Sequence, residues 1–486
     1  MTDLQVPEME KDTRMAPCGS GARRTGRCFA KTTRVGLGSC QVNANSFWHH
    51  RRHALWVNEM LMTEETRISI ERLGGDLKQL AEIGRGEDGG LYRMAFTEAD
   101  MEGKAWLEER MAAAGLETSR DGACNVIGKL AGKNPDAPAL VIGSHIDTVP
   151  CAGILDGTLG VLTGLECLRA LKESGRVPET PVELIAFSDE EGRFGGMFGS
   201  QAFAGHVTPD TVNSSVDGGG MKLADAMVEL GLDPWDALQA RRDPATVAAY
   251  LELHIEQGPV LSTAQEQVGV VEAITGLFKW SVKFHGEPNH AGTTPMEMRR
   301  DAFMGVADFA HELPRILDEN GSETSRATIG RVELTPGSAN TVPGDARFSL
   351  DVRDTDETVM NELAGAIRRA LAAIARRRGL TFSYDVESWI HPVDCDPALV
   401  DIVEASAIAA GVRYRRMESG AAHDAQIIAT VCPVAMIFVP SKDGKSHSPL
   451  EWTAWDDIEA GARVMLGAIE RHAFAKTAVG QEKEMR

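Results

Sequence analysis

The chain has 486 residues, 43% hydrophobic and 25% charged, ordinary globular values that exclude wholesale disorder, collagen-like sequence and low-complexity scaffolding. Lys and Arg total 50 against 71 Asp and Glu, and the resulting charge of −21 repels nucleic acid and anionic membrane, so neither is expected as a partner. No apolar run approaches the ~20 residues of a membrane span, and the eight scattered cysteines form no C-x-x-C pair, which reads as reduced thiols of a cytoplasmic protein.

Residues 1–61 stand apart, with a net charge of +4 that leaves −25 for the remainder. They show no sustained apolar period, and they open with Asp3, Glu8, Glu10 and Asp12, which a transit peptide would avoid. The expectation is a disordered extension, ahead of a start at Met60 or Met62. Order is expected from Thr63, where Thr63 to Thr66 can cap a helix carrying Leu73, Leu77 and Leu80 at helical spacing. A second amphipathic helix spans about 98–114 and stops at Gly115. Residues 139–143 form an apolar strand, the stripe from Val161 to Leu171 a helix, and 182–187 another strand. That succession is a βαβ unit and predicts a parallel sheet. Residues 250–256 alternate, with Leu251, Leu253 and Ile255 on one face and Glu252, His254 and Glu256 on the other.

Beyond Gly276 the texture changes. Helices are expected over 301–313 and 356–378, and strands over 279–284, 327–335, 347–353 and 381–388, as in a small α+β unit with one sheet face exposed. The α/β pattern returns with a helix over 397–410, a strand over 434–439 and a helix from Trp455. The predicted fold is therefore α/β: a large domain with a central mostly parallel sheet flanked by helices, interrupted by a smaller α+β domain. Its expected parts are the large domain at 62–273 and 390–478, which the resemblance drawn below makes catalytic, the inserted domain at 274–389, which the same resemblance makes a lid and dimerisation domain, and a tail at 479–486.

Four short segments at predicted strand ends concentrate metal-type ligands, where open α/β sheets place their sites. His145 and Asp147 are two apart, so Asp147 can accept the second ring N–H of a metal-bound His145. Asp156, on a Gly-rich loop opening a helix, can offer an oxygen to each of two ions. Glu190 and Glu191 are adjacent carboxylates that repel unless something positive sits between them. His254 and His447 complete the set. Taken singly, each His reads as a hydrogen-bonded loop or core residue, and the glutamate pair as a solvated acidic turn. Taken together they predict a cage for two divalent ions: His145 and His254 on one, Glu191 and His447 on the other, Asp156 bridging. The thiolate-free set suits zinc foremost, and manganese, cobalt or nickel as well. Glu190 is then the general base that takes a proton from water and passes it to the leaving nitrogen. In the inserted part, Arg353 and Asn340 can together grip a carboxylate, and His290 can donate to an oxyanion.

The motifs Gly-Ser-His145-Ile-Asp147-Thr-Val-Pro, Asp-Glu190-Glu191-Gly, His254-Ile-Glu-Gln257-Gly-Pro, Asn-His290-Ala-Gly-Thr-Thr-Pro-Met and Ser-His447-Ser-Pro-Leu-Glu resemble the dinuclear M20 amidohydrolases. The branch resembled is that of the N-carbamoyl-L-amino-acid hydrolases, β-ureidopropionases and allantoate amidohydrolases, over about 65–475. The resemblance implies the metal and base roles above, with Asp147 as orienter. It implies that Gln257, His290, Asn340 and Arg353 bind substrate, His290 at the scissile carbonyl and Asn340 with Arg353 at the carboxylate. It implies hydrolysis of a ureido acid bearing a carboxylate, to an amine, carbon dioxide and ammonia. It also implies a homodimer joined through the inserted domain, with some lid groups reaching the partner's site. A peptidase or N-acyl-amino-acid hydrolase on the same scaffold is the alternative. Two departures stand out: the loop after Glu191 is shorter before Arg193 than in common family members, and Ala422 precedes His423 where Gly is usual.

Overall fold

A computed structural model of the chain describes residues 66–475. The expectations for 1–61, for the 479–486 tail and for a cap at Thr63 lie outside the described residues. The first described helix is Ile70–Leu80, entered through Ser69, whose Oγ accepts the Arg72 amide at 3.3 Å. Ser69 therefore caps this helix. Leu73, Leu77 and Leu80 are fully buried, as their spacing predicts.

The main sheet has nine strands. In spatial order they are Glu117–Arg120, Val126–Leu130, Val182–Phe187, Ala139–His145, Val247–Ile255, Val434–Val439, Val268–Ile274 and Val393–Asp394, with Tyr414–Ser419 also paired to Val268–Ile274. The four central strands, from Val182–Phe187 to Val434–Val439, are mutually parallel. The flanking pairs at either side are largely antiparallel. Helices Thr158–Glu173, Pro397–Ala410 and Trp455–Ala473 contribute to the same apolar core. Burial on both faces makes the strands read as continuous apolar runs. It also overrides the alternation over 250–256: Glu252, His254 and Glu256 are as enclosed as the leucines between them.

Residues 276–390 build a second sheet with a separate core. Its order is Val332–Thr335, Asp345–Asp354, Gly276–His285 and Thr381–Ile390, with Arg326–Thr328 beside Asp345–Asp354. Phe278, Trp280, Val282 and Phe284 alternate onto the face covered by helices Ala302–Asn320 and Glu357–Arg378. Arg353 and Lys279 stand on the opposite face. The single strand expected over 327–335 is two, broken at 329–331. The helix expected to end at 313 runs on through Pro314, because Leu313, Ile316 and Leu317 continue its apolar face into this core. Among the described residues, no helix is long and apolar enough to cross a membrane.

Candidate functional site

The four parallel central strands end on one rim, and each delivers one segment of the site. His145 is the last residue of Ala139–His145, and His254 the penultimate residue of Val247–Ile255. Glu190 and Glu191 follow Val182–Phe187, and His447 lies in the loop after Val434–Val439. Asp156 immediately precedes Gly157, the cap of helix Thr158–Glu173. Gly157 has φ +60°, and a Cβ there would lie 2.3 Å from His145 Nε2, so only glycine lets the chain pass beneath the imidazole.

The side chains converge on Asp156. Its Oδ1 lies 3.1 Å from His254 Nε2 and 3.8 Å from His145 Nε2. Its Oδ2 lies 3.3 Å from His447 Nε2, which is itself 3.3 Å from Glu191 Oε2. Two donors on one tetrahedral ion with bonds of ~2.0–2.1 Å stand about 3.3 Å apart. The two halves of the cluster thus share one carboxylate, one oxygen to each. The ring orientations agree with this. His145 Nδ1 bonds the Asp147 carbonyl oxygen at 3.1 Å, and His254 Nδ1 bonds the Ile255 carbonyl oxygen at 2.9 Å, so both Nε2 atoms can keep a lone pair for a cation. Asp147 therefore orients His145 through its backbone rather than its carboxylate, which stands 3.9 Å from the ring. That carboxylate instead accepts the amides of Glu190 and Glu191, at 3.3 and 3.2 Å, and pins the acidic turn.

The electrostatics show a surplus of buried acid. Burial raises Glu190 well above the ordinary glutamate range, and Asp424 and Glu191 add to it. Burial likewise raises Glu191, with Asp156 next. Asp147 is pushed up to about 7 by burial and then by Asp100, and Glu451 to about 7 by burial and Asp156. Burial pushes His145 down to about 4, whereas Asp156 overcomes burial at His254 and holds it at about 9. Glu191 Oε1 is buried without a hydrogen-bond partner. Enclosed carboxylates of this density are costly unless compensated, and the nearby buried ammonium, Lys104, is already bonded to Asp100 and Ser188 at 2.9 Å each. An oxygen- and imidazole-rich set with an orphaned carboxylate oxygen fits divalent cations.

Of the residues implied for substrate, the structure brings two to the candidate metal ligands. Gln257 Nε2 donates to Asp156 Oδ2 at 2.8 Å. Arg353 lines the same cleft, of about 420 Å³. Its guanidinium is steadied by Asp351 at 2.9 and 3.3 Å and by the Gly420 carbonyl oxygen at 2.9 Å. His290 and Asn340 are not among the residues lining that cleft. They are exposed neighbours, His290 in a separate two-stranded ribbon and Asn340 just ahead of its second strand, where the Ala291 amide donates to the Asn340 carbonyl oxygen at 2.9 Å. The Gly292 and Thr293 amides donate to His290 Nδ1 at 3.1 and 3.2 Å, which leaves the proton on its outward Nε2.

Sequence reasoning gave no role to three neighbours. His423 is buried 4.5 Å, ring to ring, from His254, and its Nε2 meets Ser419 Oγ at 3.0 Å. Glu252 clusters with both histidines. Its i, i+2 relation to His254 was the available signal. Arg93, fully buried, donates to the Ile146, Leu80 and Ile83 carbonyl oxygens and to Thr158 Oγ1, and so ties the His145 loop to the helix after Asp156. The loop after Glu191 is held by Arg193, which bonds the Ala95 and Phe96 carbonyl oxygens and Asp217. Ala422 is not among the residues of positive φ, so alanine fits there without strain.

Residues 141–471 match the family described as peptidase family M20/M25/M40. The chain is 39% identical over 405 residues to the N-carbamoyl-L-amino acid amidohydrolase of Geobacillus stearothermophilus, covering 83% of this chain and 98% of that one. It is 34% identical over 414 residues to the allantoate amidohydrolase of Bacillus subtilis (strain 168), covering 85% and 100%. The crystal structure of an amidase of the hydantoinase/carbamoylase family from Burkholderia multivorans superimposes with a TM-score of 0.78 at 35% identity, over 85% of this chain and 100% of that one. By these matches the chain belongs to the M20/M25/M40 peptidase family, in its amidohydrolase group.

Proposed function

We propose that this protein is a metal-dependent amidohydrolase that cleaves the C–N bond of a ureido group in an N-carbamoyl-L-amino acid or a related ureido acid. The products are the amine, carbon dioxide and ammonia. The observation that carries this reading is Asp156 shared among three imidazoles at 3.1–3.8 Å, with Glu190 and Arg353 in the same cleft.

His145, His254 and Asp156 would hold one divalent ion, and Asp156, Glu191 and His447 a second, with zinc the best match to the donor set. Bound there, such ions supply carbonyl polarisation and a more acidic water. Glu190, whose Oε2 lies 3.5 Å from His145 Nε2, takes the water's proton and returns it to the leaving nitrogen. Its elevated proton affinity suits a group that must hold a proton between those two steps. Arg353 binds the substrate carboxylate through the N–H groups that Asp351 and Gly420 leave free, and Gln257 orients the ureido end.

His290 and Asn340 complete the site from a second subunit in a homodimer assembled through residues 274–389. Their exposure away from this cleft supports that arrangement, as does exposed apolar surface at Met296 and Met298 beside them. His290 Nε2–H then donates to the carbonyl oxygen as it gains charge, and Asn340 joins Arg353 at the carboxylate. The described cysteines are all free thiols, in keeping with a cytoplasmic location.

The test is ammonia release by purified protein loaded with zinc or manganese, from N-carbamoyl-L-amino acids, β-ureidopropionate and allantoate. Silence across the panel with metal demonstrably bound would overturn the reading. Release of an acid rather than ammonia from N-acyl analogues would redirect it to acyl hydrolysis. Mixing inactive Glu190→Gln with inactive His290→Ala subunits tests the shared site. Recovered activity is expected, and no recovery on confirmed subunit exchange refutes the sharing.

A further inference from the structure

The cleft wall contributed by the second sheet carries two charges that the roles above leave unused. Lys279 lies on Gly276–His285 and pairs in register with Ser388 of Thr381–Ile390. Between Val386, paired with Trp280, and Ser388 the strand bulges, and the extra residue is Glu387. A bulge re-aims the side chain it inserts, and Glu387 lines the cleft of Asp156, Glu190 and His254 together with Lys279, Leu277, Ile390 and Arg353. Both charged side chains are exposed, and neither forms an ion pair or hydrogen bond with any described residue. Arg353, on the same sheet face, is by contrast committed to Asp351 and Gly420.

Resting on the amidohydrolase reading, we infer that Lys279 and Glu387 form a subsite selecting N-carbamoyl amino acids whose side chain ends in a neutral donor–acceptor group, a carboxamide. An ammonium only donates and a carboxylate only accepts. A planar amide offers its carbonyl oxygen to the first and its N–H to the second, which satisfies both at once. A carboxylate side chain gains Lys279 but meets Glu387 as a like charge. An apolar side chain desolvates both groups and pairs neither. Leu277 and Ile390, paired across the same two strands, line the cleft beside them without offering competing side-chain polar atoms.

Asparagine, aspartate and leucine side chains are nearly isosteric, so their N-carbamoyl-L derivatives separate polarity from size. The expected kcat/KM for N-carbamoyl-L-asparagine exceeds those for the leucine and aspartate derivatives by about tenfold or more, as for sites that hydrogen-bond a substrate group. The asparagine-to-leucine ratio should collapse toward one in both Lys279→Met and Glu387→Leu, with melting temperature as the folding control. A wild-type preference for leucine, or a ratio that survives both substitutions, overturns the subsite alone. No turnover of any of the three, with metal bound, overturns the subsite; silence towards β-ureidopropionate and allantoate as well overturns the amidohydrolase reading with it.

Discussion

The cleft has two walls of opposite character. On the main-sheet side His145, Asp156 and His254 are almost wholly buried; the Nδ1 atoms of both histidines bond backbone carbonyl oxygens, and the Asp156 amide donates to Glu451 Oε1. On the second-sheet side Lys279 and Glu387 stand in solvent, and Arg353 is only partly enclosed. Atoms that must hold cations need fixed geometry, which comes from strand ends locked in a continuous core. Groups that recognise varied substrates tolerate hydration and movement. Chemistry is therefore assigned to the rigid wall and selection to the open one, and perturbing each should give a different kinetic signature.

The largest effect should follow removal of metal. Exhaustive dialysis against a chelator is expected to take activity to background, and zinc or manganese to restore it; full activity in metal-free protein, checked by elemental analysis, breaks the assignment of the rigid wall. Next, Glu190→Gln should lower kcat by roughly 10²–10⁴-fold, the usual contribution of a positioned general base, while metal content stays unchanged. An equal loss of metal would show Glu190 to be a ligand instead. Gly157→Ala puts a methyl group 2.3 Å from His145 Nε2 at φ +60°. Metal affinity should fall by about 10–100-fold, the range found when support behind a ligand is disturbed, and titration with a metal-competing dye reads it. On the open wall, Arg353→Lys should raise KM for carboxylate-bearing substrates by about tenfold with kcat little changed, because lysine cannot grip a carboxylate with a fork. A fall in kcat alone would erase the contrast between the walls.

Much of this was legible before any coordinates. The strands 182–187 and 434–439 and the helix 397–410 appear at the residues expected, since their apolar runs are bounded by turn residues. The short edge strands Glu117–Arg120 and Tyr414–Ser419 escaped notice because half-exposed polar residues carry little period. The same limit applies in the site. His145, Asp156, Glu191, His254 and His447 stand in compact motifs at strand ends. Arg93 and Lys104 lie among ordinary helical and loop residues, and their importance comes only from the carbonyl, hydroxyl and carboxylate groups that fold around them.

From the sequence alone follow the element types, the ligand chemistry and the acidic balance, because all three depend on residue identity and near-neighbour spacing. The convergence on Asp156 of side chains from positions 145, 254 and 447 is a tertiary fact, as is the burial that raises Glu190. So too are the backbone route by which Asp147 orients His145 and the placement of His290 and Asn340 away from the cleft their own chain lines. The reason is physical: coordination and proton affinity depend on distances of a few ångströms and on solvent exclusion, and parallel strands set both by uniting segments some three hundred positions apart.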